Sequence, residues 1–544
     1  MPCSRTTPLK SSFALLVGLA ILARAPSVRA ESATLGQEGA AAHALDRLGY
    51  GPRPGDLQAV TAEGVDRWID VQLNPERIPV PADLQQRLDS FETLRLSPVE
   101  LFKQYGPPRA ERGVKPTPEE MKASRQRARV IMAEAVQARF LRAVDSPRQL
   151  QEVMVDFWFN HFNVSAAKGL DYLWTGSFEE TAIRPHVFGR FRDLLEATAK
   201  HPAMLFYLDN WQNTEPGSPG AKRREDGLNE NYARELMELH TLGVDGGYTQ
   251  QDVIALAHIL TGWGLPPGRG GGRPGLPPPS PDGFYFDAER HDFSDKVFLG
   301  HTIRGSGQAE VEQVLDILAR SPTTAHHLSY QLAQYFVADE PDPVLVDVLA
   351  KRYLATDGNI REVLRTLFHS EQFWDRKTFE AKYKTPYQYV VSAVRAAGVP
   401  MLNARPLYGT AAQMGMPVYA YLTPEGYKNT RDAWLSPDAT AKRLTFATAL
   451  AAGRLPVDRP PPPEAAPGEA PMPKPPGGAL VGLAMPASDG VAAEPAIKPV
   501  PLDAQAILAG LGHRFGPRTL DAINTADPKL QAAMVLGSPE FMQR

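Results

Sequence analysis

The sequence predicts a mainly α-helical protein: a large multi-helix body with one small β element near 283–303. Two observations carry this. Apolar residues recur at i, i+3, i+4 and i+7 through most of the chain, the spacing that lines one face of a helix. Alternating strand patterns are scarce, and β-prone residues gather only where Phe284, Tyr285 and Phe286, then Val297, Phe298 and Leu299, stand between turn residues.

In chain order, the first thirty residues read as a secretory signal. Arg5 and Lys10 form a positive start, Phe13 to Leu22 an apolar stretch too short to span a bilayer comfortably, and Val28-Arg29-Ala30 a small-x-small cleavage pattern. The mature chain is expected to begin at Glu31. A retained anchor is the competing reading, and the cleavage pattern argues against it. No twin arginine precedes the apolar stretch and no cysteine follows it, which points to the general secretory route without a lipid anchor. The expected location is periplasmic or extracellular.

The helical body spans 31–454. A short helix is expected over 36–48, stopped at Gly49, then a pair over 55–73. A long helix over 118–144 has a Glu-rich start that suits the positive end of its dipole. Leu150, Val153, Met154, Phe157, Trp158 and His161 make one continuous stripe, so this helix is deeply buried with His161 at its end. Further helices are expected at 186–200, 228–242, 250–262, 309–319, 322–338, 344–354, 358–372, 386–398 and 438–452. Two stretches are low in complexity: a Pro/Gly loop insertion at 264–282, and a Pro/Ala-rich C-terminal linker at 455–502. A short helical tail, 503–544, completes the chain.

Composition narrows the function. The hydrophobic fraction of 43% and charged fraction of 22% are those of a globular chain with a sizeable core. The one cysteine, Cys3, lies in the signal, so the mature protein has no disulfide and no thiolate site. Of the 58 basic residues, Arg5, Lys10, Arg24 and Arg29 leave with the signal; 54 against 62 acidic residues leaves −8, a poor balance for binding nucleic acid. No later apolar run is long enough to cross a membrane.

The densest polar run is NENYARELMELHTLG, 229–243. On a helix, Asn231, Glu235 and Glu238 share a face. Glu235 and Glu238 form a carboxylate pair able to hold a divalent metal or divide acid and base roles, with His240 adding an imidazole. The structural alternative pairs Glu238 with Arg234 one turn away. Downstream, Gly243 suits a helix end and Thr249 to Asp252 fits a capping box; a calcium-loop reading of Asp245 to Asp252 does not match the EF-hand spacing. A second cluster is Asp156, Asn160, His161 and Asn163, where His161 is either a ligand beside Glu235 and His240 or a core histidine satisfied by a carbonyl. A third is His291 and Asp292, with Lys296 and His301 nearby. No HExxH, GxSxG, P-loop or strand-borne GxGxxG is present.

Several segments together resemble a bacterial family known as domain of unknown function 1800: AAHALDRLGYGPRPGDL (41–57), DFWFNHFNV (156–164), NENYARELMELHTLGVDGGYTQQDV (229–253), LTGW (260–263), HDFSDKVFLG (291–300), FHSEQFW (368–374), KTPYQYVVSAVRAAG (384–398) and PEGYKNTRDAWLSPDATAKR (424–443). The run at 229–253 is the specific part. The resemblance covers most of 40–452 and implies an exported, mainly helical protein. It assigns no catalytic roles. It also implies a partner, a sulfatase-like exported protein of the domain of unknown function 1501 family, whose genes often lie beside those of this one.

Two functional readings are open. One is a non-catalytic envelope protein that binds a partner or polysaccharide, with the linker and tail as a tether and Trp211, Trp263 and Trp434 as exposed contacts. The other is an exported metal-dependent or acid/base enzyme, its pocket built around the 229–240 helix and its cofactor a divalent metal.

Overall fold

Proline opens helices in this chain rather than breaking them. The helices Pro98–Tyr105, Pro118–Asp145, Pro202–Tyr207, Pro322–Phe336, Pro343–Ala355, Pro386–Ala397, Pro437–Ala451, Pro517–Thr525 and Pro528–Leu536 all begin on one. At that position the missing N–H has no helical partner to lose, and the ring presets φ. Side chains close the remaining N–H groups. Ser97 with Glu100, Thr117 with Glu120, Thr249 with Asp252 and Thr385 with Gln388 form reciprocal capping boxes. These local signals account for a chain with 51 prolines that is nonetheless mainly helical.

The computed structural model describes residues 36–108, 115–221, 227–266, 280, 282–460, 500–512 and 514–544. The signal segment, most of the 264–282 insertion and most of the 455–502 linker lie outside them. Among the described residues, no helix is long and apolar enough to cross a membrane.

The β content is two small antiparallel pairs. Trp263–Gly264 pairs with Tyr285–Phe286, and Lys296–Phe298 pairs with His301–Ile303 in a tight hairpin. Three expected helices are shorter by a third or more. The 358–372 helix runs only Ile360–Phe368, with a separate turn at Glu371–Trp374. The 186–200 helix starts at Phe191, after a 3₁₀ turn at Arg184–His186. The 228–242 helix runs only Asn231–Glu238, because the next turn winds tightly and Gly243, at φ 87°, reverses the chain. Helices at Ala82–Asp89, Pro98–Tyr105, Pro202–Tyr207 and Arg405–Gln413, and a π-helix at Phe178–Ile183, were not expected from the pattern.

One continuous apolar core runs from Ala40 to Met542. The 150–161 stripe lies inside it: Leu150, Val153 and Met154 are fully buried and Trp158 nearly so. The tail belongs to the same core. Helix Pro528–Leu536 packs on Pro437–Ala451, and Tyr389 donates to the carbonyl of Leu536 at 3.0 Å. The last residues run antiparallel beside Lys382 to Lys384, where Lys384 N–H donates to Met542 O at 2.9 Å and Arg544 N–H to Lys382 O at 2.8 Å. Trp263 and Trp434, expected as exposed contacts, are both buried. Their rings carry too much apolar area to leave in water, and Trp434 also donates to Lys428 O at 2.6 Å.

Candidate metal centre

The structure brings His161 and His240 together, but among the described residues they form no three-donor set with Glu235. His161 donates from Nε2 to the carbonyl oxygen of His240 at 3.1 Å, and the two rings lie 6.1 Å apart among Phe157, Trp158, Phe162 and Phe191. Burial, then the charge of His327, pushes His161 down to about 3, so it is neutral at physiological pH. Burial also lowers His240 well below its ordinary value. The carbonyl-satisfied alternative for His161 is the one observed. Asn160 and Asn163 are clamps: Asn160 bonds the backbone of Tyr427, and Asn163 donates to Tyr421 O and Thr423 O. Asp156 is taken by Arg139 at 2.6 Å.

On the helix Asn231–Glu238, Asn231 donates to Leu208 O at 3.2 Å. Arg234 bridges Glu230 at 3.2 Å and Glu238 at 3.4 Å, the expected i,i+4 pair. Glu235 is half-buried and faces Glu238 and Glu425 rather than the histidines. The proposed His161–Glu235–His240 ligand set therefore does not converge: His240 lies past the end of the helix with its ring in the core, while Glu235 stays on the half-open face. Asp252 spends its carboxylate on the capping box and on Leu299 N–H at 2.8 Å, which closes the calcium-loop reading.

Among the described residues, one set of three brings its donor atoms within 4.8 Å of one another: Glu215, His258 and Asp292. Each arrives from a separate segment. His258 stands in the last turn of helix Gln250–Ile259. Glu215 lies on the loop after the 3₁₀ turn Asn210–Gln212, and that loop is stapled. Buried Asn213 donates to Ala257 O at 2.8 Å, and Arg290 donates to Thr214 Oγ1, Trp211 O and Asn213 O at 2.8–2.9 Å. Glu215 N–H in turn donates to Arg290 O at 2.8 Å. Asp292 follows the 3₁₀ turn Ala288–Arg290 and is tied to the end of the His258 helix, its N–H donating to Thr261 Oγ1 at 3.0 Å. Gly262 permits this approach: a Cβ there would sit 2.5 Å from Asp287 O and 3.3 Å from His291 Cβ.

His258 Nδ1 is hydrogen-bonded to Glu215 Oε2 at 2.6 Å and lies 3.4 Å from Asp292 Oδ2. A divalent ion with bonds near 2.1 Å sets neighbouring donors roughly 3 Å apart, so an ion here would take the place of that hydrogen bond and part Glu215 and His258 slightly. Burial pushes the Asp292 carboxyl up, but donation from Ser294 N–H and Oγ, with the charges of Lys296 and His258, takes it below its ordinary value. Asp292 is thus ionised at neutral pH. Behind it stands a buried network. His291 bonds Thr261 O through Nδ1 at 2.8 Å and Glu310 through Nε2 at 2.9 Å, and Lys296 bonds Glu310 at 2.8 Å. His291, singled out with Asp292 in the sequence, supports the centre without joining it. A cavity of about 360 Å³ opens elsewhere, lined by Glu38, Gln505, Leu508, Phe515, Leu520 and Asn524 among others.

Glu215 and His258 were missed by sequence reasoning. Glu215 sits in an aperiodic loop, and His258 reads as a lone histidine on a helix. The usable signal was proximity: His258 stands just before LTGW, and Asp292 lies within HDFSDKVFLG, two of the segments that carried the resemblance.

Fold and site together define a mainly helical protein bearing a mixed carboxylate–imidazole cluster on a half-buried face. A family model described as a protein of unknown function, DUF1800, matches residues 43–543, nearly the whole chain, and the protein belongs to that family. No curated protein and no solved structure matches the chain.

Proposed function

We propose that this is an exported, metal-dependent enzyme whose divalent cation is held by Glu215, His258 and Asp292. The observation that carries the reading is the convergence of two carboxylates and one imidazole, from three separate segments, within 4.8 Å. Hard oxygen donors with one imidazole suit a first-row divalent ion such as Mn²⁺, Fe²⁺ or Zn²⁺. Three protein ligands leave positions open for water and substrate, as catalytic sites do and closed structural sites do not. The signal-like first thirty residues support export, and N-terminal sequencing of the mature protein should begin at Glu31.

The test is elemental mass spectrometry of protein purified without chelators, followed by calorimetric titration with Mn²⁺ and Zn²⁺. One equivalent is expected to bind. Glu215→Gln, His258→Ala and Asp292→Asn should each weaken binding by about a hundredfold or more, beyond the cost of losing an outer-sphere group. Glu235→Gln and Glu238→Gln should leave it unchanged. A folded protein that takes up neither ion, or that loses it through Glu235 and Glu238, sinks the assignment.

A further inference from the structure

We propose that the buried Lys296–Glu310 pair is an electrostatic counterweight that sets how tightly the Glu215–His258–Asp292 centre holds its cation. The inference rests on the metal reading above.

Lys296 opens the first strand of the hairpin, in register with Ile303. The strand alternation turns Lys296 and Phe298 inward and leaves Val297 in solvent. The Lys296 side chain is 5% exposed. Its ammonium donates to Glu310 Oε2 at 2.8 Å and to the backbone oxygen of Asp292, and it lies 3.8 Å from Asp292 Oδ2. Glu310 is fully buried and is held from its other oxygen by His291 at 2.9 Å and by Gly307 N–H at 2.8 Å. One ammonium is therefore shared between two carboxylates. Asp292 is a ligand of the centre, whereas Glu310 stands behind it.

A cation bound to Asp292 brings two positive charges near that ammonium, in a setting where water screens poorly. Lys296 opposes the cation. Glu310 offsets the opposition by drawing the ammonium away from Asp292. Removing the two partners therefore shifts affinity in opposite directions, which a purely structural role for the pair would not do.

The measurement is Mn²⁺ affinity of the mature protein by calorimetry, with circular dichroism melting to show that each variant is folded. Lys296→Met should tighten binding, and Glu310→Gln, which frees the ammonium to pair with Asp292, should weaken it, each on the order of tenfold. The double variant Lys296→Met/Glu310→Gln removes the pair as a neutral unit and should return close to wild type. Should a single variant fail to fold, the double variant decides: near-wild-type affinity supports the counterweight, and weakened affinity shows that the pair only props up Asp292. Single-variant shifts of the same sign, or none, overturn the proposal. A wild type that takes up no Mn²⁺ removes the metal reading and this inference with it, whereas a wild type that binds while the variants fail to diverge removes this inference alone.

Discussion

Glu235 stands half-buried on its helix with no ion-pair partner among the described residues, and burial, then the charges of Glu238 and Glu425, push its carboxyl up to about 7 against the pull of Arg234. A carboxyl raised in the folded state favours folding while it is protonated. The contribution is complete below the ordinary carboxylate range and is lost as pH rises through about 7. Glu235→Gln is expected to raise the melting temperature at pH 8 and to leave it nearly unchanged at pH 4.5. The effect should stay below about 1 kcal/mol, because an exposed half is screened by solvent. Equal shifts at both pH values would point to packing rather than charge. Residue by residue, local pairs were legible in the sequence. Arg234 and Glu238 are one turn apart, and helix geometry alone brings them together. Glu215 and His258 are 43 positions apart, and it takes Arg290, Asn210, Asn213 and Gly262 to fold their segments onto one another.

Helices long enough to repeat their stripe were readable, and short ones were not. Ala82–Asp89 buries only Leu84, too little to register as a period. The π-helix Phe178–Ile183 departs from the 3.6-residue repeat altogether, and it exists for a reason the pattern does not contain. It carries Glu179 and Glu180 toward buried Arg139 and the partly buried Arg142 and Arg184. Arg139 lies between Glu179 at 2.5 Å and Asp156 at 2.6 Å, under the rings of Phe159, Tyr387 and Tyr419 at 5.0–5.2 Å. Arg184 bonds Glu152 at 2.9 Å and Glu179 at 3.1 Å, and Arg142 pairs with Glu180. Each charge is tolerable only while its partner is present. Arg139→Met would leave two buried carboxylates without their shared cation, so a loss of about 3–5 kcal/mol in urea unfolding is expected. A loss under about 1 kcal/mol would mean that water reaches this network.

At the scale of the molecule, the described residues on either side of 461–499 meet one another. The chain leaves after helix Pro437–Ala451 and returns beside it. Leu502 N–H donates to Ala451 O at 2.9 Å, and a Cβ on Gly453 would lie 2.6 Å from Val500 O. The C-terminal segment beyond 499 fills the core. Val535, Leu536 and Phe541 are fully buried, Lys384 donates to Phe541 O and Ser392 Oγ at 2.8 Å, and Arg514 pairs with Asp46 on the first helix. Burial, then the charges of Arg443 and Arg544, brings Lys384 down to about 7 against the pull of Glu380. The Pro/Ala composition marked this stretch, but contacts between its two flanks are long-range and left no local signal in the sequence. Two deletions should then behave oppositely. Replacing 461–499 with a Gly/Ser bridge of about ten residues joins two ends that already meet, and the cost of closing such a connection depends only weakly on its length, so stability should change by no more than about 1 kcal/mol. Ending the chain at 460 strips the cover from Tyr389, leaves Lys384 with Ser392 alone and removes the arginine from buried Asp46, so that variant should give no cooperative thermal transition. A cooperative melt from the shorter chain would show that the tail is an ornament on an independent body. Loss of the melt on bridging would show that residues 461–499 themselves pack into the core.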